Sequence, residues 1–280
     1  MARPLVSVLT TVYNREEYIA ECIESVLASS FQDYEHIIVD DCSMDKSYEI
    51  AVAYAKKDSR LRVYRNEKNL GDYPNRNRAA ELAAGEYLKY LDSDDVLYPH
   101  GLEVMVKTII RFPEAAAALS QDGDDNVCYP VCLTPEQAYR EHFFKRDLFG
   151  RSPGSAIIRA EAFRQVGGFS AQRMTGDTEL WFKLAGRFPT VKMPRDLYWC
   201  RTHDANETVQ GHGSDTYTRF IQVAVEALRQ PACPLPADEV RRARRLLRRR
   251  LYKSAARALL WERDVRRGWE FLRAGFSVRD

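Results

Sequence analysis

Four short strand-like runs, each separated from the next by a stretch of helical periodicity, constrain the fold of this chain most. Leu5–Val12, His36–Val39, Leu61–Tyr64 and Glu86–Leu91 are four to eight residues long and rich in apolar or β-branched side chains. That length and composition suit buried strands better than helices. Between the first two runs Ile19, Cys22, Ile23, Val26 and Leu27 recur at helical spacing, giving one apolar face. Asn14 with Glu17 three residues later predicts a capping box that opens this helix. A second helix is predicted to run to about residue 57, and a third from about Pro74 to Gly85. Pro99 opens a fourth, whose face is Leu102, Met105, Val106, Ile109 and Ile110 and which Pro113 closes. Strands alternating with helices of this length imply an α/β fold: a mostly parallel sheet with helices on both faces.

Beyond residue 115 the pattern loosens. The stretch 120–152 is less regular, and Gln121–Asn126 reads as a loop. Gly154–Arg159 returns to strand, Ala160–Val166 is a short helix ended by Gly167-Gly168, Asp177–Ala185 is helical and Asp196–Arg201 extended. From about 215 the chain is helical to its end, with a break around Pro231–Pro236. The 280 residues suffice for one large α/β domain plus this C-terminal helical appendage.

No run approaches 18 apolar residues, so no membrane span is expected. The N-terminal stretch reads as a strand and not as a signal peptide. The six cysteines are scattered, and Cys128 and Cys132 have no second pair with which to bind zinc, so reduced thiols in a cytoplasmic protein are expected. The net charge of +2 conceals an asymmetry. Residues 237–280 carry 14 Lys and Arg against 6 Asp and Glu, leaving 28 against 34 for the rest. The tail fits a helix with Val240, Ala243, Leu247, Leu251 and Ala258 along one side, expected to pack on the last helix through Trp269, Leu272 and Phe276. Arg241, Arg242, Arg244, Arg245, Arg248 and Arg249 would then face outward. Such a ridge is either a solvated face or a peripheral contact with anionic lipid or a lipid diphosphate. Nucleic acid is not an expected partner, because the body is acidic and no base-reading motif accompanies the ridge.

The chemistry concentrates at strand ends. Asp92-Ser93-Asp94-Asp95 follows the fourth run, and open α/β sheets bind ligands at the carboxyl ends of their strands. Three carboxylates in four positions repel unless a cation neutralises them, and oxygen ligands at a strand edge suit Mg²⁺ or Mn²⁺ holding a diphosphate. A solvated acidic turn is the alternative. The first run ends in Thr11-Val-Tyr-Asn14, where the Tyr13 ring can stack on a base and Thr11 and Asn14 can bond its edge or the ribose. Asp40-Asp41 ends the second run and can accept from a uracil N–H or a ribose hydroxyl; Arg76-Asn77 can counter phosphate charge. Neither the Gly-x-Gly-x-x-Gly nor the Gly-x-x-x-x-Gly-Lys-Ser/Thr phosphate cradle is present.

Taken in order, Val6–Ile19, Ile37–Asp45, Arg76-Asn-x-Ala79 and Leu91–Asp95 resemble family 2 glycosyltransferases of the GT-A fold, and the resemblance extends over roughly residues 5–205. It implies a Rossmann-like nucleotide half, about 1–115, an acceptor half, about 116–214, and a helical region over 215–280. It also implies a nucleoside-diphosphate-sugar donor, a UDP-sugar in first place. Thr11, Tyr13 and Asp41 match positions that hold the base, with Asp40 adjacent. Arg76 matches the arginine beside the diphosphate. Asp92, Ser93, Asp94 and Asp95 match the acidic motif that meets the ribose and the divalent metal, and Asp94 is the first choice of ligand. Gly176–Leu184 is similar to the family's acceptor-side segment, which makes Asp177 the general base for an acceptor hydroxyl on a glycan or lipid carrier. The competing expectation for Asp177 is a helix cap, and Glu179 is a second candidate base. Where the family often has Glu before that Asp, this chain has Gly176. Tyr198–His203 is similar to a further segment in which His203 completes the metal shell or contacts the diphosphate. Trp181 and Trp199 are expected in the core, with sugar stacking as the alternative. The implied reaction is inverting and metal-dependent. Two other readings remain open: a non-catalytic nucleotide-sugar-binding protein and a sugar-1-phosphate nucleotidyltransferase. Donor and acceptor choice is expected to lie in the loops near 120–152 and 204–215.

Overall fold

The computed structural model describes residues 3–121, 127–203 and 214–278, so parts of both loops expected to set specificity lie outside the described residues. Its centre is an eight-stranded sheet of order β3-β2-β1-β4-β8-β6-β9-β7. β1 (Val6–Val12), β2 (Tyr34–Asp40), β3 (Leu61–Arg65) and β4 (Tyr87–Tyr90) are the four runs read from the sequence. They pair in parallel, with β1 between β2 and β4. β8 (Ala156–Arg159) runs antiparallel to β4 and to β6 (Ala117–Ser120). β9 (Thr190–Met193) is parallel to β6, and β7 (Val131–Leu133) closes the edge antiparallel to β9. A separate two-stranded clip joins β5 (Val96–Leu97) to β10 (Tyr198–Trp199).

Side chains alternate across β1, as a strand's period of two requires. Val6 and Val8 pack with α1 (Ile19–Leu27) and α4 (Gly101–Ile109), whereas Leu9 joins the opposite layer. Val12 meets α1 and α2 (Ser47–Ala55). The opposite layer holds α3 (Asp72–Leu82), α5 (Pro135–Arg140), α6 (Ala160–Gln165) and α7 (Gly176–Ala185). It continues without a break into the C-terminal helices α8 (Ser214–Ala227), α9 (Ala237–Leu260) and α10 (Val265–Ser277). Arg140 of α5 also reaches Glu239 of α9 with two nitrogens, at 2.9 Å each.

Several expectations are corrected. Asn14 does not cap α1. It takes a left-handed conformation, φ 53°, and its Oδ1 accepts from the Met44 N–H at 2.8 Å, so α1 starts later with Tyr18 as its flanking residue. Ile110 follows the end of α4 and is 49% exposed. The stretch 120–152, read as irregular, contains β7, α5 and a π turn over Glu141–Lys145. Of the α9 stripe, Ala243, Leu247, Leu251 and Ala258 are buried as expected. On α10, Phe271, Ala274 and the two glycines are buried and Leu272 packs half-buried on the core as expected; Phe276, 49% exposed, meets the Tyr252 ring of α9 edge-on, while Trp269 faces solvent.

Leu251 is fully buried in the cluster that also contains Leu9 of the central strand. Leu251→Ala is therefore expected to lower the unfolding free energy by about 2–5 kcal/mol. Urea unfolding followed by far- and near-UV circular dichroism should show one shifted transition. Two separate transitions would mean that the C-terminal helices fold apart from the sheet.

Candidate active site

The site forms where the sheet reverses direction. From β1 the chain moves outward through β2 to β3, then returns to place β4 on the other side of β1. The carboxyl ends of β1 and β4 therefore flank a crevice, the place where open α/β sheets take ligands. On the β1 side the Tyr13 ring is 42% exposed and Thr11 half-buried. The left-handed turn at Asn14 brings Arg15 back across the crevice, and its Nε lies 3.2 Å from Asp94 Oδ2. Asn14 itself is tied to Ser43 and Met44, so it shapes this turn.

Each carboxylate of the acidic tetrad has its own partner. Asp92 meets Arg76 of α3 at 2.7 Å, and the same guanidinium holds Asp72 through Nε at 2.7 Å. Asp94 meets Arg15 and, at 2.9 Å, Nε2 of His203. The β5–β10 clip delivers His203, and the ring is stacked on Tyr18 with centroids 4.8 Å apart. Arg201, in the same segment, donates from Nε to the Asp94 carbonyl at 2.9 Å and from its backbone N–H to Asp95 Oδ1 at 3.0 Å. Ser93 and Asp95 are buried. Burial, together with the Asp92 charge, raises the Asp95 pKa above the usual carboxylate range. Asp95, expected with Asp94 as a metal ligand, has Oδ1 engaged by the Arg201 N–H. Behind the tetrad Lys89 is fully buried, its ammonium donating to the Tyr90 carbonyl at 2.7 Å and to that of Gly154. Burial pulls its pKa down to about 7 against the upward pull of Asp95 and Asp92.

On β2, Asp40 does not reach the crevice. It is completely buried, accepts from the Ser43 N–H at 3.0 Å and pairs with Arg65 at 3.3 Å. Asp41 accepts from Asn66 Nδ2, Leu70 N and Gly71 N, at 2.8, 2.8 and 2.9 Å. It thereby fixes the loop that leads into α3. One acceptor site on Oδ2 remains beyond these three bonds, because a carboxylate offers about four.

Asp177 lies in the first turn of α7, one residue beyond Gly176, and Thr175 occupies the cap position. Its Oδ1 accepts from the Thr178 N–H at 2.7 Å, and its own N–H donates to the Tyr73 hydroxyl at 3.3 Å. Burial raises its pKa to about 6, opposed by the Thr178 N–H and the Arg76 charge. Glu179 projects from another side of α7, where it pairs with Lys183 at 2.8 Å and accepts from Ser170. Trp181 is buried, with Nε1 donating to the Arg151 carbonyl at 2.7 Å. Trp199 is not in the core but 44% exposed, with the Arg201 guanidinium 4.6 Å from its ring centroid.

Arg15, Tyr18, Tyr73 and Arg201 were missed in the sequence. Arg15 and Tyr18 sat inside the matched N-terminal run, but nothing in their spacing pointed to Asp94. Tyr73 explains the departure at Gly176. A Cβ there would lie 2.8 Å from Tyr73 Cε2 and 2.9 Å from Cζ, and the ring is itself buried and stacked on Phe169.

The donor set can be tested against a divalent cation. Asp94 Oδ2 and His203 Nε2 offer one anionic oxygen and one imidazole nitrogen 2.9 Å apart at the crevice. Among the described residues no group of three His, Cys, Asp or Glu side chains forms a self-sufficient metal cage. The carboxylate oxygen fits a hard ion such as Mg²⁺ or Mn²⁺, which takes few protein ligands and completes its shell with water and substrate phosphates, whereas the imidazole nitrogen suits softer transition-metal ions.

Residues 7–167 match the family model described as Glycosyl transferase family 2. TuaG of Bacillus subtilis (strain 168), provisionally named as a teichuronic acid biosynthesis glycosyltransferase, is 47% identical over 146 residues, which cover 49% of this chain and 58% of that protein. The chain spans about half the length of the curated relatives it matches first. Two solved structures share the fold at low identity. S. aureus TarS 1–349 in complex with UDP-GlcNAc superposes with a TM-score of 0.69 at 20% identity, covering 96% of this chain and 81% of that one. The mannosyltransferase PcManGT from Pyrobaculum calidifontis, in complex with GDP-Man and Mn²⁺, gives 0.67 at 16%, covering 100% and 77%.

The Tyr73–Gly176 contact yields a stability test. Gly176→Ala is expected to cost about 1–3 kcal/mol through overpacking. In a Tyr73→Leu background the cost should fall by at least about 0.5 kcal/mol, since the two positions are coupled. Equal costs in both backgrounds, measured by urea unfolding, would show that the ring is not the obstacle.

Proposed function

The chain belongs to glycosyl transferase family 2, and we propose from that premise that it is an inverting glycosyltransferase of glycan or polysaccharide biosynthesis. The donor is a nucleoside-diphosphate-sugar, a UDP-sugar in first place, and the acceptor a hydroxyl on a glycan or lipid carrier, used at the cytoplasmic side. The observation that carries this reading is the position of Arg76. It pairs with Asp92 at the strand-end crevice, and Tyr73, one turn earlier on the same helix, accepts from the Asp177 N–H, so α3 links the acidic tetrad to the acceptor-side carboxylate.

In this reading the Tyr13 ring stacks on the base, Thr11 lines its edge, and the remaining acceptor site of Asp41 takes a base N–H. Asn14 and Asp40 act by holding the loops that present these groups. Asp92 meets the ribose, and Ser93 keeps the turn compact. Arg15 and Arg76 face the diphosphate from opposite sides of the tetrad. Asp94 and His203 hold Mg²⁺ or Mn²⁺, with Asp95 fixing the clip that carries the histidine. The bound ion would supply Lewis-acid neutralisation of charge on the departing diphosphate. Asp177 accepts the proton of the attacking hydroxyl. With a pKa near 6 it is ionised at neutral pH, yet more basic than an ordinary carboxylate. In-line attack then converts an α-linked donor into a β-glycoside with no covalent enzyme intermediate.

A panel of nucleotide sugars, read by release of nucleoside diphosphate with and without acceptor, tests the reaction. Absence of turnover alongside tight nucleotide-sugar binding would favour the binding-protein reading. Asp94→Asn should lose most turnover with the fold intact, and EDTA should inhibit the wild type; full activity in metal-free buffer would remove the metal role. Asp177→Asn should bind nucleoside diphosphate normally but transfer about 10²–10⁴-fold more slowly. Because the base must be ionised, kcat/KM should fall about tenfold per pH unit below about 6 and level off above it. A profile flat from pH 5 to 8 would assign the proton to another group.

A further inference from the structure

Among the described residues ten large apolar side chains are exposed, and five of them crowd into residues 260–276. Leu260 and Trp261, at the end of α9, are 76% and 87% exposed. Val265, Trp269 and Phe276, on α10, are 59%, 56% and 49% exposed. Spacings of four and seven put the last three on one side of α10, with half-buried Leu272 between them. A clustered patch of this kind calls for an occupant in a way that scattered exposed side chains do not.

Packing fixes the outward orientation of the strip. The adjoining face of α10 presents Gly268 and Gly275 to α9. A Cβ at Gly268 would lie 2.5 Å from Leu259, and one at Gly275 would lie 2.5 Å from Tyr252. Phe271 and Ala274 are buried on that same face. Turning Trp269 inward would force a bulky side chain into this close approach and expose Phe271. The helices cannot exchange faces.

The surroundings of the strip are mixed in charge on and beside α10, where Arg266 pairs with Glu270 at 3.4 Å and Glu262 takes Arg257 at 3.1 Å, and strongly cationic on α9. Arg266 and Arg273 are exposed beside it on α10. The outer side of α9 carries Arg242, Arg245, Arg249, Lys253 and Arg257, all exposed. Over α9 as a whole, nine Lys and Arg oppose two Asp and Glu, and both acids lie in its first turn. Amphipathic indoles prefer the boundary between headgroups and acyl chains, and guanidinium forks suit phosphate oxygens. No described helix is long and apolar enough to cross a membrane, so such a contact would be interfacial.

We propose that the α9–α10 hairpin docks this protein on an anionic lipid surface. Leu260, Trp261, Val265 and Trp269 enter the interface, and the α9 and α10 cations meet the lipid phosphates. The proposal is independent of the reaction assigned to the crevice.

The test is flotation of the full chain with phosphatidylcholine vesicles, with and without phosphatidylglycerol, at low and high salt. The wild type should float with the anionic vesicles at low salt and about tenfold less with neutral vesicles or at high salt. Trp261→Ser with Trp269→Ser should reduce flotation about tenfold, and Arg245→Gln with Arg249→Gln and Lys253→Gln should weaken it as high salt does. Because all five positions are exposed, the thermal midpoint and nucleoside-diphosphate binding should not change. Three outcomes would overturn the proposal: no flotation, flotation insensitive to both variants, or a lipid-free dimer that the tryptophan variant dissociates.

Discussion

Repulsion among Asp92, Asp94 and Asp95 is the constraint around which the site is built. Three carboxylates at one strand end would destabilise the fold if left to face one another. The protein resolves this by giving each a different partner from a different segment. Asp92 takes Arg76 from α3, Asp94 takes Arg15 from the β1–α1 turn and His203 from beyond β10, and Asp95 takes a backbone N–H of the clip. Lys89 sits beneath them as a buried ammonium. A nucleotide diphosphate and its cation would enter a setting already divided into positive and negative stations, so binding can exchange partners and need not create them.

Helix α3 is the mechanical link between the two ends of the crevice. Its entry loop is clamped by Asp41, its first turn carries Tyr73 against Asp177, and its next residue toward the strand, Arg76, holds Asp92. Tyr73 occupies the volume that a side chain at position 176 would need. At this end of the crevice Asp177, in the first turn of α7, therefore has an aromatic ring beside it where a side chain at position 176 would otherwise stand. A movement of α3 would change the spacing of both ends together.

Much of this was legible in the sequence. Strands β1 to β4 were readable because parallel strands buried on both faces read as continuous apolar runs. Motif order singled out the tetrad, Arg76, Asp177 and His203, and the structure brings Arg76 to Asp92 and His203 to Asp94. What escaped has physical reasons. β6 is Ala-Ala-Leu-Ser, whose small residues carry little strand propensity and are extended by their place between β8 and β9. The capping box at Thr134 and Gln137 was visible in principle, with both reciprocal bonds formed, but lay in a stretch taken as loop. The capping box expected at Asn14 failed because its side chain found a long-range partner, Met44, in preference to a local one. Arg15 and Arg201 reach the tetrad across 79 and more than 100 residues, a separation no local pattern encodes.

That separation sets an order of events for a chain made from its N-terminus. Once residue 95 has emerged, the parallel core of β1 to β4 has all its strands, and Arg15, Arg76 and Lys89 can already balance part of the acidic turn. Arg201 and His203 are still more than 100 residues away. At ribosomal speeds that interval lasts about 5–20 s, long compared with the folding of small elements. During it the acidic turn carries fewer counter-charges than in the finished protein. Asp94 then has Arg15 within reach before its histidine arrives, so the β5–β10 clip is the last clasp on a site whose floor is laid much earlier.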